Sequence, residues 1–197
     1  ARMVRPFNLC ATRREVERLV DGMLDDLMDC FTAGTVHVGG DEVSCLGECP
    51  VCKRRSATLS AFDRYALYYG RILDRLNRRG RRGGIWGDML LHYSDKLSAA
   101  RRERLFRPWR EKGAVIYDWH YDGGGLETLR RFAGAGLETI ACSSTHLCYS
   151  ASLWPAQRVN QRDLFADAVR AGVAGGLTTD WGNFAGLHHE QLNYLHA

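Results

Sequence analysis

The sequence has no long hydrophobic run, no signal-peptide pattern in its first residues and no glycine-rich phosphate-binding fingerprint. Each of these absences argues against a class of protein. No run of about 18 apolar residues occurs, so we predict no membrane-spanning helix and no membrane partner. The first residues, Ala1 to Arg5, lack the apolar core of a signal peptide. No G-x-G-x-x-G follows a predicted strand, and the lone run Gly123-Gly124-Gly125 is weak evidence for phosphate binding.

The charge of the chain comes almost entirely from arginine. There are 24 arginines and 3 lysines against 23 acidic residues, which gives a net charge of +4. The densest basic cluster, residues 78–82, follows a predicted helix, where cations interact favourably with the helix dipole. It contains no aromatic residues on which bases could stack, so we predict no nucleic-acid partner. A length of 197 residues and a hydrophobic fraction of 45% indicate one globular domain.

The seven cysteines leave the redox state open but favour reduced thiols. An odd number leans toward a reducing compartment and hence a cytoplasmic location. Cys45, Cys49 and Cys52 form a C-x3-C-x2-C pattern that could hold zinc, but no fourth ligand is evident nearby. Free thiols or one loop disulfide are therefore favoured, and Cys10, Cys30, Cys142 and Cys148 are scattered. We predict no metal ligands in the functional site.

Helical and strand patterns alternate along the chain. Apolar residues at helical spacing predict helices over 12–31 (with Thr12 as its cap), 58–79, 98–112, 124–134, 160–172 and 187–196. Short apolar runs predict strands over 35–39, 83–86, 114–117, 137–141 and 173–179. Pro108 is expected to kink or shorten its helix.

Five strands that alternate with helices predict an α/β fold with a parallel sheet. Polar and aromatic residues follow each predicted strand, which is where a (β/α)8 barrel keeps its active site. Five strands cannot close an eight-stranded barrel, so an open doubly wound sheet stays an alternative.

The segment His37-Val38-Gly39-Gly40-Asp41-Glu42-Val43 is the clearest functional signal. Two glycines and two adjacent carboxylates follow a β-branched strand, although buried carboxylates are costly unless they are paired or used. Two carboxylates in different environments can provide an acid and an ionised partner at neutral pH. The alternative is a helix N-terminus, where acidic residues interact favourably with the dipole.

These residues resemble the catalytic domain of glycoside hydrolase family 20, the β-N-acetylhexosaminidases. His37-x-Gly39-Gly40-Asp41-Glu42 matches the family signature, and Trp86-Gly87-Asp88, the segment 117–121, Tyr149 and Trp181-Gly182 follow in the family's order. The resemblance implies that residues 1–197 are a partial (β/α)8 TIM-barrel catalytic domain with about strands 4 to 8. The N-terminal strands, which carry a sugar-binding arginine in the family, are absent from it.

The resemblance also implies a role for each catalytic residue. Glu42 would be the general acid, which must hold a proton near neutral pH and is therefore expected to be buried. Asp41 would stay ionised and orient the 2-acetamido group of the substrate, whose oxygen is the nucleophile. Tyr149 would donate a hydrogen bond to that oxygen, with Tyr117 and Tyr121 as competing candidates. No cofactor is expected, because the substrate supplies the nucleophile.

The remaining site residues would bind the amino sugar. Trp86, Trp119 and Trp181 would surround the acetamido methyl group and pack against one face of the sugar ring, because aromatic faces complement C–H surfaces. Asp88, His120 and Asn183 would contact hydroxyl groups, with Asn183 where many family members carry Glu. His37 is expected to be a structural histidine. The partner is thus an amino-sugar glycoside; the oligomeric state is open.

Two other functions stay open at this point. One is a carbohydrate-binding pseudo-enzyme that keeps the sugar pocket but has lost turnover. The other is a metal-dependent hydrolase that uses His37, Asp41, Glu42 and His120. A second metal candidate, His188-His189-Glu190, is disfavoured because adjacent side chains on a helix point apart.

Overall fold

The computed structural model describes residues 8–43, 45–146 and 154–181. In these ranges the helices are α1 (Arg14–Cys30), α2 (Pro50–Arg55), α3 (Ala61–Arg78), α4 (Asp88–Ser94), α5 (Ala99–Glu111), α6 (Leu126–Gly134) and α7 (Trp154–Ala171). The strands are β1 (Thr35–His37), β2 (Arg82–Trp86), β3 (Val115–Trp119), β4 (Glu138–His146) and β5 (Gly175–Asp180). None of the described helices is long and apolar enough to cross a bilayer.

The strands form one five-stranded sheet in the order β1-β2-β3-β4-β5. Thr35 of β1 pairs in parallel with Arg82 of β2, Val115 of β3 with Glu138 of β4, and Ile140 of β4 with Gly175 of β5. Parallel strands that are consecutive in the chain need a crossover connection, which is usually a helix, and helices lie between the strands of this chain. The predicted α/β class with a parallel sheet is confirmed.

The described residues divide into two compact units. The first unit comprises the residues up to Ile85 together with Met89–Ala114. Its core is built on α3, whose Leu73 and Leu76 are fully buried. A Cβ on Gly83 of β2 would lie 2.0 Å from Leu73 Cδ2, so only glycine lets α3 pack so closely. Trp109 of α5 packs on Tyr65 of α3, with ring centroids 5.7 Å apart.

A ladder of ion pairs joins α1 to α3 in the first unit. Arg71 and Arg75 of α3 and its C-cap residue Arg79 recur every four residues and face acidic residues of α1 with the same spacing. The pairs are Arg71–Glu17, Arg75–Asp21, Arg75–Asp25, Arg79–Asp25 and Arg79–Asp29. The members are partly exposed, so each pair adds little stability, but the shared carboxylates fix the register of the two helices.

The second unit comprises Trp86–Asp88 and the described residues from Val115 onward. Its core is an apolar cluster in which Leu129 of α6 and Leu164 of α7 are buried with Ala141 of β4. The helices α6 and α7 thus cover one face of β4.

The structure differs from the sequence-based prediction at several boundaries. The short helices α2 and α4 were not predicted, because six or seven residues carry too little periodicity to be recognised. Strand β4 continues through His146 where a loop was predicted after residue 141, and α7 begins at Trp154, six residues early.

Two residues with expected roles at helix boundaries behave differently. Thr12 does not cap α1, whose N-cap is Arg13 without a side-chain bond. Pro108 lies within α5, which continues to Glu111 and is not shortened. The predicted helix over 187–196 falls outside the described residues.

Candidate active site

The acidic loop, residues 38–43, begins where β1 ends and changes the direction of the chain with glycine geometry. Gly39 and Gly40 have φ of 73° and 94°, values that glycine adopts without steric cost. A Cβ on Gly40 would lie 2.8 Å from Ile85 Cγ1. Tyr65 Oη donates a buried 2.9 Å hydrogen bond to the Gly40 carbonyl, which ties the turn to α3. Packing and backbone conformation therefore both require glycine at position 40.

Glu42 is the only non-glycine residue with positive φ in the described ranges, at 48°. That left-handed conformation costs a side-chain-bearing residue roughly 1–2 kcal/mol, and such strain concentrates at functional sites. The next residue, Val43, is 4% exposed and anchors the end of the loop. Asp41 is half-buried, whereas Glu42 is exposed. The burial expected for Glu42 is therefore not found.

His37 makes a contact that suits the structural role expected for it. Its Nδ1 accepts a 3.1 Å hydrogen bond from the Gly39 N–H, which requires the tautomer protonated on Nε2. Burial lowers the pKa of His37 to about 4, so the ring is neutral at physiological pH. A neutral acceptor at the end of β1 shapes the first turn of the acidic loop.

The end of β3 presents alternate residues to opposite faces of the sheet. Asp118 is 1% exposed and lies on the face covered by α6, where Thr128 Oγ1 donates a 2.6 Å hydrogen bond to its Oδ2. His120 Nε2 lies 2.7 Å from that hydroxyl oxygen and 3.1 Å from Asp118 Oδ2. We call these three residues the Asp118 network. A buried carboxylate with such partners is satisfied and fixes the orientation of the imidazole.

The backbone around His120 is fixed as well. Asn160 Nδ2 of α7 donates 2.8 Å hydrogen bonds to the carbonyls of His120 and Gly123. Asp167 Oδ2 accepts a 3.1 Å bond from the Gly125 N–H. A Cβ on Gly125 would lie 2.5 Å from His120 Cδ2. The glycine run 123–125 therefore accommodates the imidazole closely.

The five aromatic side chains Trp86, Tyr117, Trp119, Tyr121 and Trp181 form an aromatic cluster in the second unit. Trp86 contacts Tyr117 and Trp181, with ring centroids 6.0 and 6.3 Å apart. Trp119 stacks on Tyr121 at 5.1 Å and 24°, and Trp181 Nε1 donates a 2.8 Å hydrogen bond to Tyr121 Oη. Edge and stacked contacts of this kind hold aromatic planes at defined angles.

Asp88 and Cys142 lie beside these groups. Gly87 N–H donates a 2.8 Å bond to the Tyr117 carbonyl, and a Cβ there would lie 2.9 Å from Phe132 Cε2. Asp88, partly buried, is the first residue of α4. Burial, aided by the Asp118 charge, raises the pKa of Cys142 to about 12, so this thiol is not nucleophilic.

Most of the predicted site residues can be placed. Asp41 and Glu42 lie in the first unit; Trp86, Asp88, Trp119, His120 and Trp181 lie in the second. Tyr149 and Asn183 lie outside the described residues. Sequence reasoning gave no role to Asp118 or Thr128 and did not recognise Tyr121 as the link between Trp119 and Trp181. The alternation of Tyr117 and Trp119 places them on one side of β3, and the same spacing continued to Tyr121 was the available signal.

Comparison with known proteins agrees with these features. The family model described as "Glycosyl hydrolase family 20, catalytic domain" matches residues 2–181. A curated relative, the Beta-hexosaminidase of Akkermansia muciniphila, is 25% identical over 146 residues, which is 72% of this chain and 26% of the relative.

Two solved structures share the fold. A β-N-acetylhexosaminidase from Bacteroides fragilis superposes with a TM-score of 0.57 at 20% identity, over 88% of this chain and 36% of that one. A chitobiase from Flavobacterium johnsoniae gives a TM-score of 0.55 at 15% identity, over 87% of this chain and 26% of that one. These likenesses confirm the predicted incomplete α/β barrel.

The chain spans about a quarter of the curated relative and between a quarter and two fifths of the two solved chains. The family model nevertheless covers nearly all of it, including the acidic loop and every described residue of the aromatic cluster. The chain belongs to glycoside hydrolase family 20.

Proposed function

We propose that this chain is part of the catalytic domain of an exo-acting β-N-acetylhexosaminidase. The substrate is a glycoside or oligosaccharide that ends in β-linked N-acetylglucosamine or N-acetylgalactosamine. The proposal rests on family membership and, above all, on one feature: a left-handed Glu42 that follows Asp41 directly at the carboxyl end of a parallel strand. The left-handed conformation falls on the carboxylate that directly follows Asp41, and strain of this kind concentrates at functional sites.

Glu42 acts as the general acid in this proposal. It donates its proton to the glycosidic oxygen while the bond to the anomeric carbon breaks, so that the leaving group departs as an alcohol. The same carboxylate then accepts a proton from the water that completes the hydrolysis.

The nucleophile is the carbonyl oxygen of the substrate's own 2-acetamido group. It attacks the anomeric carbon and forms an oxazolinium ion, which water opens with net retention of configuration. Asp41, ionised, accepts a hydrogen bond from the acetamido N–H and stabilises the developing positive charge. Tyr149 donates to the acetamido oxygen. No enzyme nucleophile and no cofactor are needed.

The aromatic cluster supplies apolar surface for the sugar. Trp86, Trp119 and Trp181 contact the acetamido methyl group and the ring, with Tyr121 holding two of these indoles in place. Asp88 and Asn183 bind hydroxyl groups. His120 is committed to the Asp118 network through Nε2, so a sugar hydroxyl would be bound through Nδ1.

A thiazoline analogue of the oxazolinium ion tests this mechanism. It resembles the high-energy intermediate and should inhibit hydrolysis of an aryl N-acetyl-β-glucosaminide competitively. Its affinity should exceed that of the substrate by at least about 100-fold. The matched control is the same sugar without the fused ring. Equal inhibition by the two compounds would contradict substrate assistance, and sugar binding without release of the aryl group would favour the pseudo-enzyme alternative. Family membership favours the glycosidase over that alternative and over a metal-dependent hydrolase.

A further inference from the structure

Three cysteines from two segments of the first unit meet at one point. Cys10 precedes α1, Cys49 is the N-cap residue of α2, and Cys52 lies in the first turn of α2. Cys10 Sγ lies 3.4 Å from Cys49 Sγ and 3.4 Å from Cys52 Sγ. All three sulfur atoms lie within 4.8 Å of one another, and in the described ranges no other group of His, Cys, Asp and Glu has metal-ligand spacing. We call these residues the thiol cluster.

The membership of this cluster differs from what the sequence indicated. The spacing C-x3-C-x2-C groups Cys45 with Cys49 and Cys52 and leaves Cys10 isolated. In the structure Cys45 Sγ instead donates a 2.9 Å hydrogen bond to Asn8 Oδ1, and Cys10 takes its place beside Cys49 and Cys52. The third thiol comes from 39 residues upstream of Cys49, a separation that local spacing does not reveal.

The separations match those of thiolates that share one metal ion. Zinc–sulfur bonds of about 2.3 Å in tetrahedral geometry place two sulfur atoms about 3.8 Å apart. A disulfide joins two of three thiols and leaves the third without a role, whereas a metal ion uses all three. Soft thiolate ligands with a C-x2-C pair select zinc over the hard cations that prefer oxygen.

We propose that Cys10, Cys49 and Cys52 bind one zinc ion through their thiolates, with water in the fourth position. Two further contacts support the assignment. The Cys52 N–H donates to Cys49 Sγ over 3.4 Å, and Thr12 Oγ1 lies 3.2 Å from Cys52 Sγ. Outer hydrogen bonds of this kind orient ligands toward a metal.

The surroundings also suit the charge of such a site. Three thiolates and a divalent ion carry one net negative charge. Arg55 donates a hydrogen bond to the Thr12 carbonyl, which brings a cation to the segment that carries Cys10. Cys52 is fully buried while Cys10 and Cys49 are half-buried, so one side of the ion would remain open to water.

The zinc ion would fasten the loop that follows the acidic loop. Cys49 comes seven residues after Glu42, and α2 begins at the next residue. Without a metal, residues 45–49 are attached to the segment before α1 by the Asn8 bonds to Cys45 and by weak thiol contacts. With zinc, three metal–sulfur bonds would join these segments, a role in stability that is separate from the glycosidase chemistry.

Zinc content and thiol protection test the proposal without any substitution. The chain is purified under anaerobic, reducing conditions, loaded with zinc and freed of excess, and zinc is counted by mass spectrometry of the element. We expect about one zinc per chain. Alkylation followed by peptide mapping should show Cys10, Cys49 and Cys52 protected by zinc and exposed by a chelator. Cys30, which is exposed and outside the thiol cluster, should react equally in both states.

Variants then assign the ligands. C10S, C49S and C52S should each weaken zinc binding by more than the 10- to 100-fold that loss of an outer-shell partner costs. C45S and C30S are the matched controls and should retain full zinc content. Cobalt in place of zinc should give thiolate-to-metal charge-transfer absorption that C10S diminishes.

Several outcomes would overturn the proposal. They are absence of zinc from a reduced and folded chain, alkylation of the thiol cluster unaffected by zinc, and full zinc content in the C10S variant. Loss of zinc in C45S would contradict water as the fourth ligand. A disulfide within the thiol cluster in the anaerobically purified protein would also contradict it. None of these readouts depends on glycosidase activity.

Discussion

The acidic loop and the Asp118 network both follow strands of the parallel sheet, yet they hold their carboxylates in opposite ways. Glu42 is exposed on a backbone with φ of 48°. Asp118 is 1% exposed, lies within a regular strand and has Thr128 and His120 as partners on the α6 side. One region stores strain to present a carboxylate, and the other gains stability by enclosing one.

Under the proposed function, this difference separates residues that react from residues that position. A buried carboxylate with satisfied hydrogen bonds is unsuited to proton transfer with a substrate but well suited to orienting a neighbour. An accessible carboxylate in a sparsely populated conformation lowers stability and persists where function requires it. Substitutions of Asp41 and Glu42 should therefore affect catalysis more than stability, and substitutions of Asp118 and Thr128 should do the reverse.

The largest effect is expected for Glu42→Gln. The amide keeps the shape of the side chain but cannot donate the proton, so hydrolysis of substrates with poor leaving groups should fall by roughly 100- to 10,000-fold. Activated aryl glycosides, which need little protonation, should lose much less. Steady-state kinetics over a series of leaving groups measures this. Equal losses across the series would remove Glu42 from the role of general acid.

Asp41→Asn should raise the activation free energy by about 3–4 kcal/mol and slow the reaction accordingly, by analogy with removing a preorganised oxyanion-hole donor. The loss arises because the charge that steadies the oxazolinium ion is gone while the shape is retained. The effect should be seen in kcat/KM for N-acetylglucosaminides, with the unfolding midpoint in urea nearly unchanged. A variant that loses stability in proportion to its activity would mean that Asp41 is a structural residue.

Thr128→Val probes the enclosed carboxylate. It removes the 2.6 Å hydrogen bond to the buried Asp118 and should lower the free energy of unfolding by about 1.5–3 kcal/mol. The matched control, Thr128→Ser, keeps the hydroxyl and should retain most of the stability. Urea denaturation of the two variants gives the difference. If valine and serine behave alike, the network does not depend on this bond.

Glu42→Gly should stabilise the fold relative to Glu42→Ala by roughly 1 kcal/mol, although we expect both variants to be inactive. Both lack the carboxylate, but only glycine relieves the strain of positive φ at position 42. Thermal unfolding of the pair measures the strain directly. An alanine variant as stable as the glycine variant would show that the left-handed conformation carries no cost.

The smallest effect concerns His37 and pH. Burial lowers the pKa of His37 to about 4, below the ordinary value near 6.5, so between these values the unfolded chain binds a proton that the folded chain does not. The free energy of unfolding should therefore fall as the pH drops from 6.5 to 4.

His37→Asn should flatten that pH dependence by an amount on the order of 1 kcal/mol, because the ring is only half-buried. Asparagine still offers an oxygen to the Gly39 N–H. Urea unfolding of both proteins at several pH values isolates the contribution of His37. Parallel pH profiles for the two would show that the imidazole does not titrate in this window.

The sequence predicted the parts of this molecule that depend on local pattern. Strand and helix periodicity placed all five described strands, and the glycines and carboxylates of the acidic loop indicated the family. The positive φ at Glu42 was not predicted, because residue type alone gives no signal for a left-handed glutamate. Its exposure was predicted wrongly, because burial was inferred from the expected role of the carboxylate.

Contacts that join segments distant in the chain could largely not be predicted from the sequence. The bond from Thr128 to Asp118 joins α6 to β3, and the thiol cluster joins Cys10 to α2, and neither leaves a periodic signal. The tryptophans of the aromatic cluster were found by their positions after strands, but the role of Tyr121 requires the side-chain geometry. The sequence pattern thus indicated the segments that carry the family signature, and the side-chain contacts that join them required the structure.

The proposed catalysis depends on the substrate's acetamido group as the nucleophile, with Asp41 and Glu42 assisting it. The most direct test compares hydrolysis of an aryl N-acetyl-β-glucosaminide with that of the matching β-glucoside by the same purified protein. We expect kcat for the glucoside to fall far below that for the N-acetylglucosaminide, even at saturating concentrations, because the glucoside lacks the reacting oxygen. Comparable kcat values for the two substrates would mean that an enzyme carboxylate attacks the sugar, and would contradict the roles proposed for Asp41 and Glu42.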